Sequence, residues 1–502
     1  MDVIHNLMFG FSTALKPIYI FYALIGTIFG TMTGILPGLG PLGAMAILLS
    51  FTLYLDATGA MILFAGIYYG AMYGGSTTSI LLNIPGESAS VVTCIDGYQM
   101  AKKGRAGAAL AVCAVGSFFA GTVSIFGLMF AASTLSNFAL KFGPAEFFAI
   151  GVCGLTVLVR LSGESLIKSI IMVLLGLAIA TVGVDHVSGV ERFTFGNYEL
   201  GQGIDLLPVA MGIFGIAEVL AIAEQRWQET SLINFKLREL LPTRKEWKKS
   251  ANPILRGSVL GFLIGLIPGP SHVISTFVSY LVEKKISKNP EEFGKGAIEG
   301  VAGPEAANNA AVGGAYVPLL ALGVPFTPAL AVVLGALMLH GITPGPNLIN
   351  EKPELFWGLI ASMYIGNFML LVLNLPMVKV FVNVLKIPKP FLLPLIVVIC
   401  LIGVYSLSSS YLDLMVLAVF GVIGYAMRGL GFEPAPLVLA LVLGPMIETS
   451  LRQSLKITQG DVGAMIFRPI CVTLYVAMIL FFIAPYLVKI FKKKREAEPQ
   501  NS

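Results

Sequence analysis

Charge is what this sequence has least of. Only 12% of its 502 residues are Asp, Glu, Lys or Arg, about half the roughly 25% of soluble domains. With 56% hydrophobic residues and a mean hydropathy of +0.84, the chain cannot cover a surface with polar groups, which excludes a soluble globule. Histidine is scarce too. The four histidines are His5, His186, His272 and His340, and no two stand at i, i+4. No H-E-x-x-H helix occurs, and no G-x-S-x-G elbow supports the adjacent Ser271–His272 pair, so nothing reads as an enzyme. A Walker A motif is also missing, so the chain does not itself hydrolyse ATP and any uphill transport must draw on an ion gradient. The five cysteines (Cys94, Cys113, Cys153, Cys400, Cys471) show no C-x-x-C spacing. They read as small packing residues, with no cofactor or resident metal expected. The segment MDVIHNLMFGFSTALKP lacks a basic n-region and a small-x-small cleavage site, and reads as the approach to a first membrane helix.

Long apolar runs are what the chain has in abundance, at 18–36, 108–130, 206–222, 355–376, 391–407, 411–426 and 470–488. A span needs about 20 such residues, which gives an all-α polytopic membrane protein of roughly ten to twelve helices. Residues 224–256 carry eight Lys/Arg against four Glu, and the tail holds Lys489, Lys492, Lys493, Lys494 and Arg495. The positive-inside rule places both in the cytoplasm. This predicts a first half at 1–223, a linker at 224–256, a second half at 257–490 with one extra span, and a tail at 491–502.

Both halves open alike. GILPGLGP begins at Gly34 and GLIPGP at Gly265, so their Pro-Gly steps stand 231 residues apart (268 − 37). Each half then has a Gly-Gly pair, a short apolar stretch and a second proline, Pro85 or Pro325. Broken helices survive in a bilayer only where they are buried in protein or line a cavity. Paired breaks in two related halves mark the binding site of secondary transporters. The expected architecture is therefore two inverted repeats with re-entrant, broken helices. Asp96-Gly97-Tyr98, followed by Lys102, Lys103 and Arg105, reads as the exit of a hairpin to water.

Polar residues cluster at these breaks. Gly38, Gly40, Ser76, Thr77, Asn83, Pro85, Gly86, Ser88, Ser271, Asn308, Pro325 and Thr327 are the candidate substrate-binding residues. Gly74, Gly75, Thr78, Asn309, Gly313 and Gly314 are candidates for an ion such as Na⁺, because hydroxyl, amide and carbonyl oxygens suit a hard cation. Glu87 and Glu305 are either coupling groups or helix caps, since each follows a Pro-Gly or Gly-Pro pair. The residues leave proton coupling through these two carboxylates open. A channel would spread polar residues along whole helices and fits less well. Neither 34–88 nor 303–346 contains a Lys or Arg, and a helix end supplies only about half a positive charge. That favours a mono- or dianion over a trianion.

The stretches GGSTTSILLNIPGESASVVTCIDGYQMAKKGRAGAAL and GVAGPEAANNAAVGGAYVPLLALGVPFTPALAVVLGALMLHGITPGP resemble the large membrane subunit of tripartite tricarboxylate transporters, the TctA-type family. The resemblance runs from the first PGLGP to the last helices. It implies a bacterial inner-membrane permease that takes up carboxylates on an ion gradient, generally Na⁺. It implies two partners, a small four-helix membrane subunit and a periplasmic solute-binding protein. It also implies an elevator-like architecture with hairpin tips at 76–88 and 308–327. This chain departs from the family at Pro268-Gly269-Pro270-Ser271-His272, where Pro-Gly-x-Gly is usual, and at Phe326, where a small residue is usual. Both departures count against citrate.

Overall fold

The computed structural model describes residues 3–36, 39–161, 165–185, 188–224, 240–383 and 389–497. Pro37 and Gly38, residues 225–239 of the linker, and 498–502 of the tail lie outside them. Among the described residues the structure is mainly helical, and its strands are two-residue segments at Gly183–Val184 and Glu191–Arg192 that pair antiparallel. Seven described helices are long and apolar enough to cross a membrane, and four shorter apolar helices accompany them.

Chain contacts divide the protein into two compact units. The larger comprises Met1–Leu140 and Ile204–Pro434, and the smaller Lys141–Gly203 and Ala435–Ser502. Each draws on both halves of the sequence.

The larger unit carries the broken elements. Its first half contributes α1 (Pro17–Ile35), α2 (Gly40–Leu48), α3 (Ala57–Leu82), α4 (Val91–Met100) and α5 (Ala106–Ala139). Asp56 starts α3 by accepting the Gly59 N–H at 3.3 Å, a normal N-cap. Smaller-unit helices α6 (Pro144–Leu161) and α7 (Leu166–Ala180) follow. The second half resumes with α8 (Arg244–Gly265), α9 (Ser271–Ile286), α10 (Glu299–Leu322), α11 (Pro328–Leu339) and α12 (Pro353–Asn374). The chain ends with α13 (Ala435–Ile457) and α14 (Pro469–Ala497) in the smaller unit.

Glycine rows set the closest helix pairs. Gly26, Gly30 and Gly34 of α1 press on Leu63, Ile67 and Ala71 of α3, where an added Cβ would fall 2.2–2.4 Å from a backbone oxygen. Gly257, Gly261 and Gly265 of α8 press on Gly303, Ala307 and Ala311 of α10 in the same way, at 2.2–2.5 Å. The glycines differ by 231 residues (257 − 26) and their partners by 240 (303 − 63). One helix pair is thus written twice, its backbones brought together by small residues as in membrane helix dimers. The nine-residue difference falls between the two helices of each pair, where the 9-residue α2 corresponds to the 16-residue α9.

A capping box opens α8. Thr243 accepts the Glu246 N–H, and Glu246 accepts the Thr243 N–H at 2.6 Å. Arg105 also pairs with Glu246, Nη2 to Oε2 at 2.5 Å. Burial raises the Glu246 carboxyl, but the Arg105 guanidinium and the Thr243 donors outweigh it and hold it below the usual carboxylate range.

Asp96 does not stand at a water exit. It is fully buried and accepts the N–H groups of Gly294, Gly296 and Ala297, at 2.6–2.9 Å, and the Tyr280 hydroxyl at 2.9 Å. Four donors satisfy the carboxylate and moor the 294–297 turn of the second half to α4. The left-handed bend comes later, at Gly104, beside the exposed Lys102 and Lys103.

In the smaller unit Gly176 of α7 packs on the Leu437 carbonyl of α13, and Arg468 pairs with Glu146 at 3.0 Å. Arg452 joins Asp185 and Glu448, each at 2.7 Å, and Arg192 meets Glu448 at 2.8 Å. Four of the five free cysteines are buried and Cys94 is partly exposed.

Candidate functional site

The breaks are shorter than the expected tips. Ser76 and Thr77 belong to α3, and Asn308 and Asn309 to α10. The helices end at Asn83 and Gly323, both in the left-handed conformation (φ 59° and 72°) that closes many helices. The tips proper are 83–87 and 323–327. Each leaves its helix, passes a proline and becomes an N-cap. Glu87 accepts the Ala89 N–H at 2.7 Å, and Thr327 accepts the Leu330 N–H at 3.4 Å. These caps also stand 240 residues apart (327 − 87).

The tips are cross-braced by that same symmetry. Asn308 of α10 donates Nδ2 to Glu87 Oε1 at 3.1 Å. Its repeat counterpart, Tyr68 of α3 (308 − 240), shares a hydrogen bond at 3.2 Å with Thr327, the counterpart of Glu87. Each half's helix therefore reaches the other half's tip. The residue types differ, so one brace is amide to carboxylate and the other phenol to hydroxyl. His272 adds its Nε2 to the Tyr68 hydroxyl. Gly269, in the second Pro-Gly step, donates its N–H to the Phe326 carbonyl at 3.0 Å. Gly86 has no room for a side chain, because a Cβ there would lie 2.1 Å from the Gly34 carbonyl oxygen.

Glu305 lies in the second turn of α10, fully buried, and caps nothing. Ser76 of α3 donates to its Oε2 at 2.5 Å and Thr93 of α4 donates to its Oε1. Asn309 donates to Ser117 of α5 at 2.7 Å and to the Glu305 carbonyl at 3.2 Å. Several buried acceptors and donors have no partner among the described residues, including Asn308 Oδ1, Asn309 Oδ1, Ser271 Oγ and the Tyr316 hydroxyl. Unsatisfied buried polar atoms are rare in folded proteins, and each calls for an explanation such as a functional role or a bound ion.

Residues 20–439 match the model described as the tripartite tricarboxylate transporter TctA family. The chain belongs to that family. An uncharacterized 52.8 kDa protein of the TAR-I ttuC′ 3′ region of Agrobacterium vitis is 46% identical over 494 residues, 98% of each chain. An uncharacterized protein of the TAR-II ttuC′ 3′ region of the same organism is 50% identical over 214 residues, covering 43% of this chain and 88% of that one. No solved structure matches.

In this TctA-family chain the structure pairs Ser76 with Glu305 and Asn308 with Glu87, and joins Thr327 to Tyr68. Pro85, Gly86 and Pro325 form the tips, and Gly40 (φ 54°) comes close to the Glu87 side chain. Asn83 and Ser88 are exposed, Ser271 is buried at the start of α9, and Gly38 lies outside the described residues. The glycines proposed for the ion have a packing explanation. Cβ atoms would clash at Gly74 with Thr31 O, at Gly75 with Glu87 Cγ, at Gly313 with Ser124 Oγ, and at Gly314 with Phe262 O. Thr78 bonds the Gly75 carbonyl within its own helix at 3.2 Å. Sequence reasoning missed Tyr68, Thr93 and Ser117, and weighed His272 as a catalytic group and as part of the departure at 268–272, not as a partner of Tyr68. A 240-residue offset laid over the sequence would have paired Tyr68 with Asn308.

Proposed function

We propose that this TctA-family permease takes up a small carboxylate on a sodium gradient across the bacterial inner membrane, as the large subunit of a three-component system. Its partners are a small four-helix membrane subunit and a periplasmic solute-binding protein. The linker and tail face the cytoplasm, and the halves have opposite sense. The observation that carries the reading is the reciprocal bracing of two broken-helix tips, Asn308 to Glu87 and Tyr68 to Thr327. Broken helices meeting in this way suit alternating access around a central substrate. Hydroxyls and N-caps at the tips bind carboxylate, and buried neutral oxygens bind the ion. The missing Lys and Arg across 34–88 and 303–346 favour a mono- or dianion.

One observation favours proton coupling as the second reading. Glu87 and Glu305 are buried without an ion-pair partner among the described residues. Labelled-carboxylate uptake into proteoliposomes holding all three components separates the readings. Sodium coupling requires that uptake collapse when choline replaces Na⁺ at constant pH gradient. Uptake that survives choline and collapses with a protonophore assigns the coupling to protons.

A further inference from the structure

Between α3, α5 and α12 lies a small cavity that no tip residue lines. Its polar walls are Tyr73, Ser76, Thr77, Cys113, Ser117 and Asn374. Residues 73, 76 and 77 share one face of α3, and 113 and 117 share one face of α5, as i, i+3 and i, i+4 neighbours do. The space admits a single sphere about the size of a water molecule or a desolvated sodium ion.

Asn374 is the second observation. It ends α12 with its Nδ2 committed to the Leu370 carbonyl at 3.0 Å and to Thr31 Oγ1 at 3.5 Å. Its Oδ1 has no hydrogen-bond partner among the described residues, and the residue is only 5% exposed. A carbonyl oxygen left bare at such depth costs free energy unless something meets it. Two of the cavity hydroxyls, Ser76 and Ser117, lead to Glu305, while the Tyr73 hydroxyl donates to Asn367 Oδ1 at 2.7 Å. Ser76 donates to its carboxylate at 2.5 Å. Ser117 accepts from Asn309 at 2.7 Å, and Asn309 also donates to the Glu305 main-chain oxygen at 3.2 Å. The cavity therefore combines neutral hard oxygens with an anionic charge one hydroxyl away, the donor set of an alkali cation and not of a transition metal. Glu305 has no repeat counterpart, since Ala65 (305 − 240) holds that position in α3. The site exists once.

We propose that this cavity is a binding site for one sodium ion, held by Ser76, Thr77, Ser117 and Asn374 oxygens and neutralised by Glu305. The inference rests on the sodium-coupled reading but places the ion on hydroxyl and amide oxygens and not on the packed glycines. The ion joins α3 and α5 to α12 and, through Glu305, to α10.

The test uses the purified full chain and Na⁺ alone. Melting is followed in NaCl, KCl and choline chloride at equal ionic strength. The wild type should show a Na⁺-specific rise in melting temperature, as mass action demands of a ligand bound only by the native state. Asn374→Ala should weaken apparent Na⁺ affinity about tenfold or more, and Glu305→Gln by at least as much. Na⁺ should also slow alkylation of wild-type Cys113 by N-ethylmaleimide, a readout that needs no variant to fold. No Na⁺-specific shift and no Cys113 protection in the wild type overturns the site, whatever uptake shows. An Asn374→Ala protein with wild-type Na⁺ affinity overturns it too. If the shift and protection are found but uptake is indifferent to Na⁺, the site stands and the sodium-coupled reading falls.

Discussion

Replacing Gly261 with alanine tests the helix pairing that underlies the site. The new methyl carbon would lie 2.2 Å from the Ala307 carbonyl oxygen and 2.7 Å from its Cα. Ordinary contact needs more than a further ångström, and no flexible side chain can yield, because the obstacle is backbone. The helices must separate or rotate. That also loosens Gly257 on Gly303 and Gly265 on Ala311, the flanking contacts of the same row, with many small dispersion terms lost together. Overpacking of this kind costs about 1–3 kcal/mol, and the backbone clash puts Gly261→Ala at the upper end. The control is Gly429→Ala, at a helix position with nothing within 4 Å, where alanine should be neutral or stabilise by up to about 1 kcal/mol. Gel filtration after heating the detergent-solubilised protein gives both melting points. Asn308 follows Ala307 directly, so the damage should reach the Glu87 brace and lower uptake beyond the loss of folded protein. If Gly261→Ala melts with Gly429→Ala, the close packing of α8 on α10 is refuted.

Glu87→Ala removes a cap and the partner of Asn308, so it should cost about 1–2 kcal/mol. Glu87→Gln should keep most of the stability, with thermal melts as the measure. The Glu246 carboxyl lies below its unfolded value, so its contribution is complete above about pH 4.3 and fades as pH falls through the lower folded value. With Arg105 37% exposed, it amounts to at most about 1 kcal/mol. Melts at pH 6 and pH 3.5 should therefore converge between wild type and Arg105→Ala at the lower pH. Competition against labelled substrate should rank mono- or dicarboxylates above citrate, and Phe326→Gly should narrow that gap. Citrate competing best, unchanged by Phe326→Gly, would show both the charge and the pocket arguments to be wrong.

Hydropathy was enough to read an all-α membrane protein, and Pro37 and Pro268 were enough to read the repeat, because proline and glycine stand out in apolar helices. The rows at Gly26 and Gly257 obey the same offset, yet glycine is common in membrane helices, so the letters alone do not mark a contact. The cross-bracing was hidden for a different reason. Tyr68 and Asn308 occupy equivalent positions with unlike chemistry, as do Glu87 and Thr327, so similarity of residue type does not reveal them. Asp96 shows the limit for polar residues. Beside Lys102 and Lys103 it looks like a solvated end, but its partners are backbone N–H groups near residue 295. Only the three-dimensional path brings those groups to it.

The smaller unit has a consequence for how the protein is made. Its first segment, Lys141–Gly203, leaves the ribosome well before its second, which begins at Ala435. Between them come 231 residues (204 to 434), roughly 12–46 s of synthesis at about 5–20 residues per second. For that interval Gly176 has no Leu437 to pack on, and Glu146 lacks Arg468. The early hairpin of α6 and α7 must wait in the membrane with its small-residue face and a carboxylate unmatched. A ribosome that stops short of residue 435 thus releases a chain whose larger unit is complete and whose smaller unit lacks its closing helices. Quality control could recognise that orphaned face.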